Sequence, residues 1–516
     1  MNYKIKDVNK MSIDELIGQV IMIGLPGHTL NKEYKEFIKE YKIGNYILFA
    51  RNYESTKQMK ELMKDVYEYT SSITGSFPLV SIDQEGGMVV RLFKDVTFPA
   101  SPLTTSATAV LDAPYLTGKI IGSDMLKMGI NLNLAPCLEI NEDLKNPLVN
   151  VRGYGATKEI VLNNAKAFVK GLQASGALSC IKHFPGAGSS TKDSHLELPI
   201  ILDEKEVLLN YNMHPFAHIK ESDALMTSHC IYKSFDEIPS TLSKVLLTDV
   251  LRGDLDFNGL VISDGMEMKA ITDFYGLDNG CVMALNAGCD ILLLCHEYEE
   301  QVAAFKAVKK AVLDGTIKLD LLKEKIRRIN QAKEKVRENL SKYFTLDEYL
   351  VVKEEHDLMS EIVDKSYTLI KGHAPKLKDD TLIISSNAKI ASIVEDEFDE
   401  RNLTNALRHN FPNNTVIKFE DRENFIPDLL SEAKKHDSII IYSYDAYKDF
   451  LQKETINTLL KTNKEVFVVS LKGPIDEVYF DNLTNYSCLY EYTPNSIKTI
   501  IKQLKENFEL VGRLPK

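Results

Sequence analysis

The sequence has no CxxC pair, no apolar run long enough to cross a bilayer, and no glycine-rich phosphate loop behind its first strand-like segment. The seven cysteines are an odd number: Cys137, Cys180, Cys230, Cys281, Cys289, Cys295 and Cys488. Most lie in apolar runs, which argues for buried free thiols in a reducing compartment and against a disulfide framework. The absence of a long apolar run leaves no candidate membrane helix. The polar stretch from Met1 to Asp14 has no apolar signal core, so a soluble cytoplasmic protein is expected. A basic surplus is missing as well. The formal net charge is −12, which excludes general affinity for nucleic acid or for anionic membranes. Internal repeats and low-complexity segments are also absent.

What is present is an alternation of short Val/Ile/Leu-rich runs with longer helical patterns. The spacing predicts strands at Gln19–Gly24, Asn45–Ala50, Leu79–Asp83, Gly129–Ala135, Ala177–His183, Ala224–Ser228, Gly259–Asp264 and Cys289–Leu294. Helical patterns fall between them, such as Thr56–Thr70, Ala113–Met128, Lys158–Ala174 and Leu242–Leu255. Near-continuous apolar strands separated by helices imply parallel strands covered on both faces. Eight such units ending near residue 340 predict an α/β fold that begins with a (β/α)8 TIM-type barrel. The alternative is an open doubly wound sheet, which fits less well because Leu25-Pro26-Gly27-His28 is a poor phosphate loop.

After the helical stretch Leu319–Asn339 and a charged connector, a second βα series begins. Its expected strands are Thr381–Ser385, Thr415–Phe419, Ser438–Ser443, Glu465–Leu471 and Cys488–Tyr492. The organisation expected is a barrel over 1–340, a connector over 341–375, and a smaller three-layer α/β domain of flavodoxin-like type over 376–516. The second domain has no nucleotide fingerprint, so its expected role is structural, or to shape one wall of the cleft.

Residues 181–195 carry the densest chemistry. The apolar run from Gly176 to Ile181 ends in Lys182-His183, turns through Pro185, Gly186 and Gly188, and reaches Asp193-Ser194-His195. In an extended segment Asp193 and His195 project from the same side, and a carboxylate beside an imidazole fixes its tautomer and favours its charged form. Polar groups recur at the ends of the other expected strands: Asp83 with Arg91 after it, Asn150 and Arg152, His229, and Asp264 followed by Gly265 and Met266. Function in a barrel collects at that end. Taken singly, Asp264 reads equally as a helix cap, Arg91 and Arg152 as surface or ion-pair residues, and His229 as a satisfied core histidine. Lys182 at the end of an apolar strand needs a partner or a ligand. His214 and His218, one helical turn apart, fall at the other end of the barrel and read as surface or packing residues.

These motifs resemble glycoside hydrolase family 3, specifically the bacterial β-N-acetylglucosaminidases of the peptidoglycan-recycling type. The resemblance spans nearly the whole chain. It runs through Ile17-Gly18-Gln19, Tyr46–Asn52, Ile82–Gly87, Gly129–Pro136, Lys182–Gly186, Asp193–His195, Ser263–Met266, Asn286–Asp290 and Gly512–Pro515. It implies that Asp264 is a nucleophile forming a covalent glycosyl-enzyme, with Asp193 and His195 as the acid/base dyad in place of a second carboxylic acid. It implies sugar-binding roles for Asp83, Arg91, Arg152, Lys182 and His183, with His229 and Met266 as further candidates. The implied partner is an N-acetylglucosamine-containing carbohydrate, with no cofactor and no metal. An imidazole that titrates near neutrality suits both halves of such a reaction, and neighbouring cations would keep Asp264 ionised. The loop from Gly186 to His195 is expected to close over the sugar.

Two positions depart from the family pattern: Ala187, where a histidine is common, and Met88, where an arginine is common. Both bear on loop docking or substrate choice more than on reaction type. A phosphorylase on the same scaffold is the nearest rival. A metal-dependent barrel hydrolase built on His183, His195, His229 and Asp264 lacks the usual histidine pair at the first strand. A non-catalytic sugar-binding homologue is the third.

Overall fold

The computed structural model describes residues 3–144, 149–186, 197–344, 351–386, 402–462 and 464–516. Eight parallel strands close into a barrel: β1 (Ile21–Gly24), β2 (Asn45–Leu48), β3 (Leu79–Ile82), β4 (Leu132–Asn133), β5 (Leu178–Phe184), β6 (Ala224–Thr227), β7 (Leu260–Gly265) and β8 (Ile291–Leu294). Each strand pairs with its neighbours in sequence, and β8 returns to β1 with Leu292 opposite Ile21. β1, β2, β3 and β8 are buried throughout. Burial on both faces makes these strands mostly apolar, with Asn45 in β2 and Ser81 in β3 as buried polar exceptions.

β4 is shorter than its apolar pattern because asparagine side chains replace part of the ladder. Asn131 Oδ1 accepts from Val80 N at 2.8 Å, and Asn133 bonds both ways to the backbone of Gln84, accepting from its N–H at 3.1 Å and donating to its carbonyl at 3.0 Å. The helix expected over Leu242–Leu255 occupies Val245–Asp254 and winds with the wider i→i+5 turn. The helices Ala113–Lys127 and Lys158–Ser175 are capped as sequence chemistry predicts at the second, where the Thr157 side chain accepts from Ile160 N and Gly176 takes the left-handed position. They meet so closely that a Cβ on Gly171 would lie 1.9 Å from the Tyr115 carbonyl oxygen.

Asp290 pins the floor of the barrel. It is fully buried. Its Oδ2 takes Arg252 at 2.8 Å and Val261 N at 2.9 Å, and its Oδ1 takes Arg328 at 2.9 Å. The Asn286–Asp290 motif therefore ties β8 to β7 and to the helix Leu319–Tyr343 at the end opposite the strand C-termini.

The second sheet has six strands: β9 (Thr368–Lys371), β10 (Leu382–Ser385), β11 (Val416–Lys418), β12 (Ser438–Ser443), β13 (Glu465–Ser470) and β14 (Asn485–Cys488). Their order is β9-β14-β13-β12-β10-β11, parallel except that β9 runs antiparallel to β14. Two differences from the sequence expectation have physical causes. β9 lies in the stretch read as connector because only Thr368 of its four residues is buried, while Leu369 and Lys371 are exposed, as befits an edge. β14 ends at Cys488, where the expected Cys488–Tyr492 run begins, and its Tyr486, Ser487 and Cys488 are buried, with Ser487 Oγ hydrogen-bonded to the Tyr367 hydroxyl at 3.3 Å.

One face of this sheet shares a hydrophobic cluster with the barrel, in which Met88, Leu103 and Val151 join Ile440, Tyr442 and Val469. The final segment folds back onto the barrel. Arg513 N donates to Ala107 O at 2.8 Å, and Ala156 N donates to Pro515 O at 3.0 Å.

Asp290→Ala leaves two guanidinium groups without their buried acceptor. We expect it to lower the unfolding free energy by about 3 kcal/mol, read as a shifted denaturant midpoint with an unchanged slope.

Candidate active site

Because all eight barrel strands are parallel, their C-terminal ends meet at one mouth. Asp83 follows β3, Lys182 and His183 lie in the last turn of β5, His229 follows β6, and Asp264 is in the last turn of β7. Lys182 is 3% exposed at its side chain, and its Nζ lies 2.7 Å from both Asp83 Oδ1 and Glu85 Oε1. Arg152, on the loop after β4, forks onto Glu85: Nε to Oε2 at 2.9 Å and Nη2 to Oε1 at 2.8 Å. Arg91 Nη2 approaches Asp83 Oδ2 at 3.9 Å.

The Gln84 side chain shapes this loop. It accepts from Arg91 N at 2.8 Å and Leu92 N at 3.1 Å, and donates to Leu92 O at 3.0 Å. Burial alone would raise the Glu85 carboxyl. The Arg152 and Lys182 charges override it and hold Glu85 well below the usual carboxylate range. Burial likewise opposes the charge on Lys182, and Asp83 and Glu85 reverse that and push the ammonium above its ordinary value.

His183 is held by Glu139. Its Nδ1 is 2.6 Å from Glu139 Oε1, and its backbone N–H donates to the same oxygen at 2.9 Å. A carboxylate only accepts, so Nδ1 carries a proton, and Nε2 is left for other partners. Burial acts against ionisation of Glu139, yet His183 and Arg152 draw it below the ordinary carboxylate value.

Asp264 Oδ1 accepts from Gly265 N at 2.8 Å. His229 is fully buried. Its Nε2 donates to the Gly265 carbonyl at 2.9 Å, and its Nδ1 pairs with Thr241 Oγ1 at 2.7 Å. It thus grips the backbone beside Asp264. Met266 is fully buried. A Cβ on Gly280 would lie 3.5 Å from its terminal methyl, so Met266 packs under the helix Leu277–Ala287. Asp193, His195 and Ala187 lie outside the described residues. Met88 lies in the cluster shared by the two units.

Glu85 and Glu139 are the partners that sequence reasoning did not assign. Glu85 stood within the quoted Ile82–Gly87 motif. Glu139 carried no signal beyond following β4 closely. Glu267 is a third. Its carboxylate accepts from Cys295 N, across from β7 to the end of β8, while Oε2 is buried without a hydrogen-bond partner among the described residues.

Cys137, Glu139 and His183 bring a thiol, a carboxylate and an imidazole within 4.8 Å of one another, the donor types of a zinc site. Glu139 and His183 are already bonded to each other. Burial raises the Cys137 thiol well above its ordinary value, and Arg152 and Lys182 add positive charge beside it. The trio fits a hydrogen-bonded support for His183 better than a cation cage.

The profile of the glycosyl hydrolase family 3 N-terminal domain matches residues 12–332. The chain belongs to glycoside hydrolase family 3. It is an enzyme of the glycosidase class, with the barrel carrying the matched region. A beta-hexosaminidase A from Pseudoalteromonas piscicida is 26% identical over 446 residues, 81% of this chain and 73% of that protein. A beta-hexosaminidase from Photobacterium profundum is 31% identical over 306 residues, 58% of this chain and 89% of that protein. The solved structure of a family 3 beta-N-acetylglucosaminidase from Paenibacillus sp. str. FPU-7 superposes with a TM-score of 0.91 at 28% identity, covering 98% of each chain. No described helix is long and apolar enough to cross a membrane.

Burial pushes the Glu267 carboxyl up to about 7 from an ordinary 4.5. It stays protonated in the fold over a range in which the unfolded chain ionises it. Stability therefore falls as pH rises from about 4.5 to about 7. Glu267→Gln is expected to reduce that slope, measured as the unfolding free energy against pH.

Proposed function

We propose that this family 3 enzyme is a retaining exo-β-N-acetylglucosaminidase that removes terminal N-acetylglucosamine from peptidoglycan-derived muropeptides or related glycosides. The observation that carries the reading is the joint presence, at one barrel mouth, of Asp264 and of a prebuilt cation–carboxylate platform made by Asp83, Glu85, Lys182 and Arg152. The platform offers the hydroxyl groups of a sugar both charged acceptors and charged donors. Arg91 and Arg152 suit a substrate joined to an anionic residue, and His183 Nε2 is left to hydrogen-bond a sugar hydroxyl.

In the first step Asp264 attacks the anomeric carbon. His195, oriented by Asp193, gives its proton to the departing glycosidic oxygen. In the second step the same imidazole takes a proton from water, which attacks the anomeric carbon and releases Asp264 as a carboxylate. The seven cysteines, all free and buried, suit a cytoplasmic site of action.

The test uses a chromogenic N-acetylglucosaminide. Asp264→Asn should lower kcat at least about a thousandfold, and a slow fluorinated substrate should label the peptide containing Asp264. A label elsewhere removes the nucleophile. Sugar 1-phosphate as the main product when phosphate is supplied would make the enzyme a phosphorylase, and no wild-type turnover would leave a sugar-binding protein.

A further inference from the structure

We propose that the second domain is a positioning element of the sugar subsite, holding the Glu85 loop and the Arg152 loop at the separation at which their fork closes. The inference rests on the reading of Arg152 and Glu85 as part of that subsite. Two separate contacts carry it, one on each loop.

On the Glu85 side the grip comes from Glu491, fully buried three residues past β14. Its Oε2 accepts from the backbone N–H of Ser101 and from Thr104 Oγ1, both at 2.8 Å, and Ser101 Oγ donates to Tyr490 O at 3.2 Å. The Gly86-Gly87 turn lies directly on the segment so held. Gly87 N donates to Pro99 O at 2.9 Å. Gly87 has φ +60°, and a Cβ there would sit 2.4 Å from the Ser101 Cβ. Movement of Ser101 is thereby passed to the residue two places from Glu85.

On the Arg152 side the contact is Gly473, in the loop after β13. A Cβ on Gly473 would lie 2.6 Å from Asn150 Oδ1, so the Gly473 backbone packs directly on the Asn150 side chain. Asn150 opens the short helical turn that ends in Arg152. Ser470 Oγ donates to Gly473 O at 2.7 Å and fixes the loop on its own sheet. The fork between Arg152 and Glu85 thus spans two loops that are each backed by the second domain. A guanidinium and a carboxylate bond bidentately only within a narrow geometry, so a small displacement of either loop opens the pair.

The experiment measures kcat and KM for the chromogenic substrate in the full-length protein. Gly473→Ala and Glu491→Ala should each raise KM about tenfold and leave kcat within about threefold. Glu491→Gln, which keeps an acceptor for Ser101 and Thr104, should stay within threefold of wild type. Asn150→Ala removes the atoms an alanine at 473 would strike, so Gly473→Ala combined with Asn150→Ala should return KM to the value of Asn150→Ala alone. An unchanged KM in either folded single variant overturns the proposal, as does a fall in kcat with KM constant or a failure of Asn150→Ala to relieve Gly473→Ala. The two contacts are independent, so either folded variant decides.

If the wild type shows no turnover, the proposed reaction falls while this inference is still decided by hydrogen exchange. Glu491→Ala must speed exchange at 85–87, and Gly473→Ala must speed it at 150–152. Unchanged rates at both would refute it.

Discussion

The mouth of this barrel is organised around one buried carboxylate, Glu85. A carboxylate with 1% side-chain exposure is untenable unless charged donors surround it, and a lysine with 3% exposure at a strand end has the converse problem. Each solves the other, and Arg152 completes the set. The three residues come from the loops after β3 and β4 and from the end of β5, so the cluster forms only when these strands stand side by side in register. Closure of the barrel and assembly of the charged platform are therefore one event. The charges are in place before substrate arrives, in surroundings where they act more strongly than in water.

Most of this architecture was legible in the sequence because of how it is buried. Strands covered on both faces are mostly apolar, and eight such runs in alternation with helices leave few other folds. Lys182 was legible as a residue in need of a partner. The identity of that partner was not, since Asp83 is 99 positions away and a carboxylate in a sequence does not announce which cation it will meet. Glu139 was illegible for the same reason. His229 stood open between core and function, and its two ring bonds place it in between. It is buried and fully engaged, and what it holds is the Gly265 backbone. β14 escaped notice because Asn485 and Ser487 break its apolar pattern, although they find their hydrogen-bond partners on neighbouring elements, Val466 O and the Tyr367 hydroxyl.

The motifs shared with the family do different physical jobs. Ile82–Gly87 and Lys182–Gly186 build the mouth. Asn286–Asp290 builds the floor, where Asp290 ties two arginines and the Val261 amide, at the opposite end from any substrate. Gly512–Pro515 does neither: it returns the chain terminus to the barrel through the Arg513 and Pro515 backbone bonds. A quoted motif is thus no guide by itself to which residues touch a sugar. The end of the strand on which it sits decides that.

The position of Asp264 follows from restraint on both sides of β7. On one side His229, just past β6, holds the Gly265 carbonyl. On the other, Met266 N donates to Leu293 O at 2.9 Å, and Glu267 takes the Cys295 amide at the end of β8. Gly265 N turns back to Asp264 Oδ1. The backbone that carries the carboxylate is therefore fastened to both neighbouring strands before any ligand binds. A carboxylate in the role proposed for Asp264 gains most from such fastening, because the cost of orienting it has been met during folding. The burial that leaves Glu267 reluctant to ionise is the local cost of that arrangement, taken three residues away from the group that benefits.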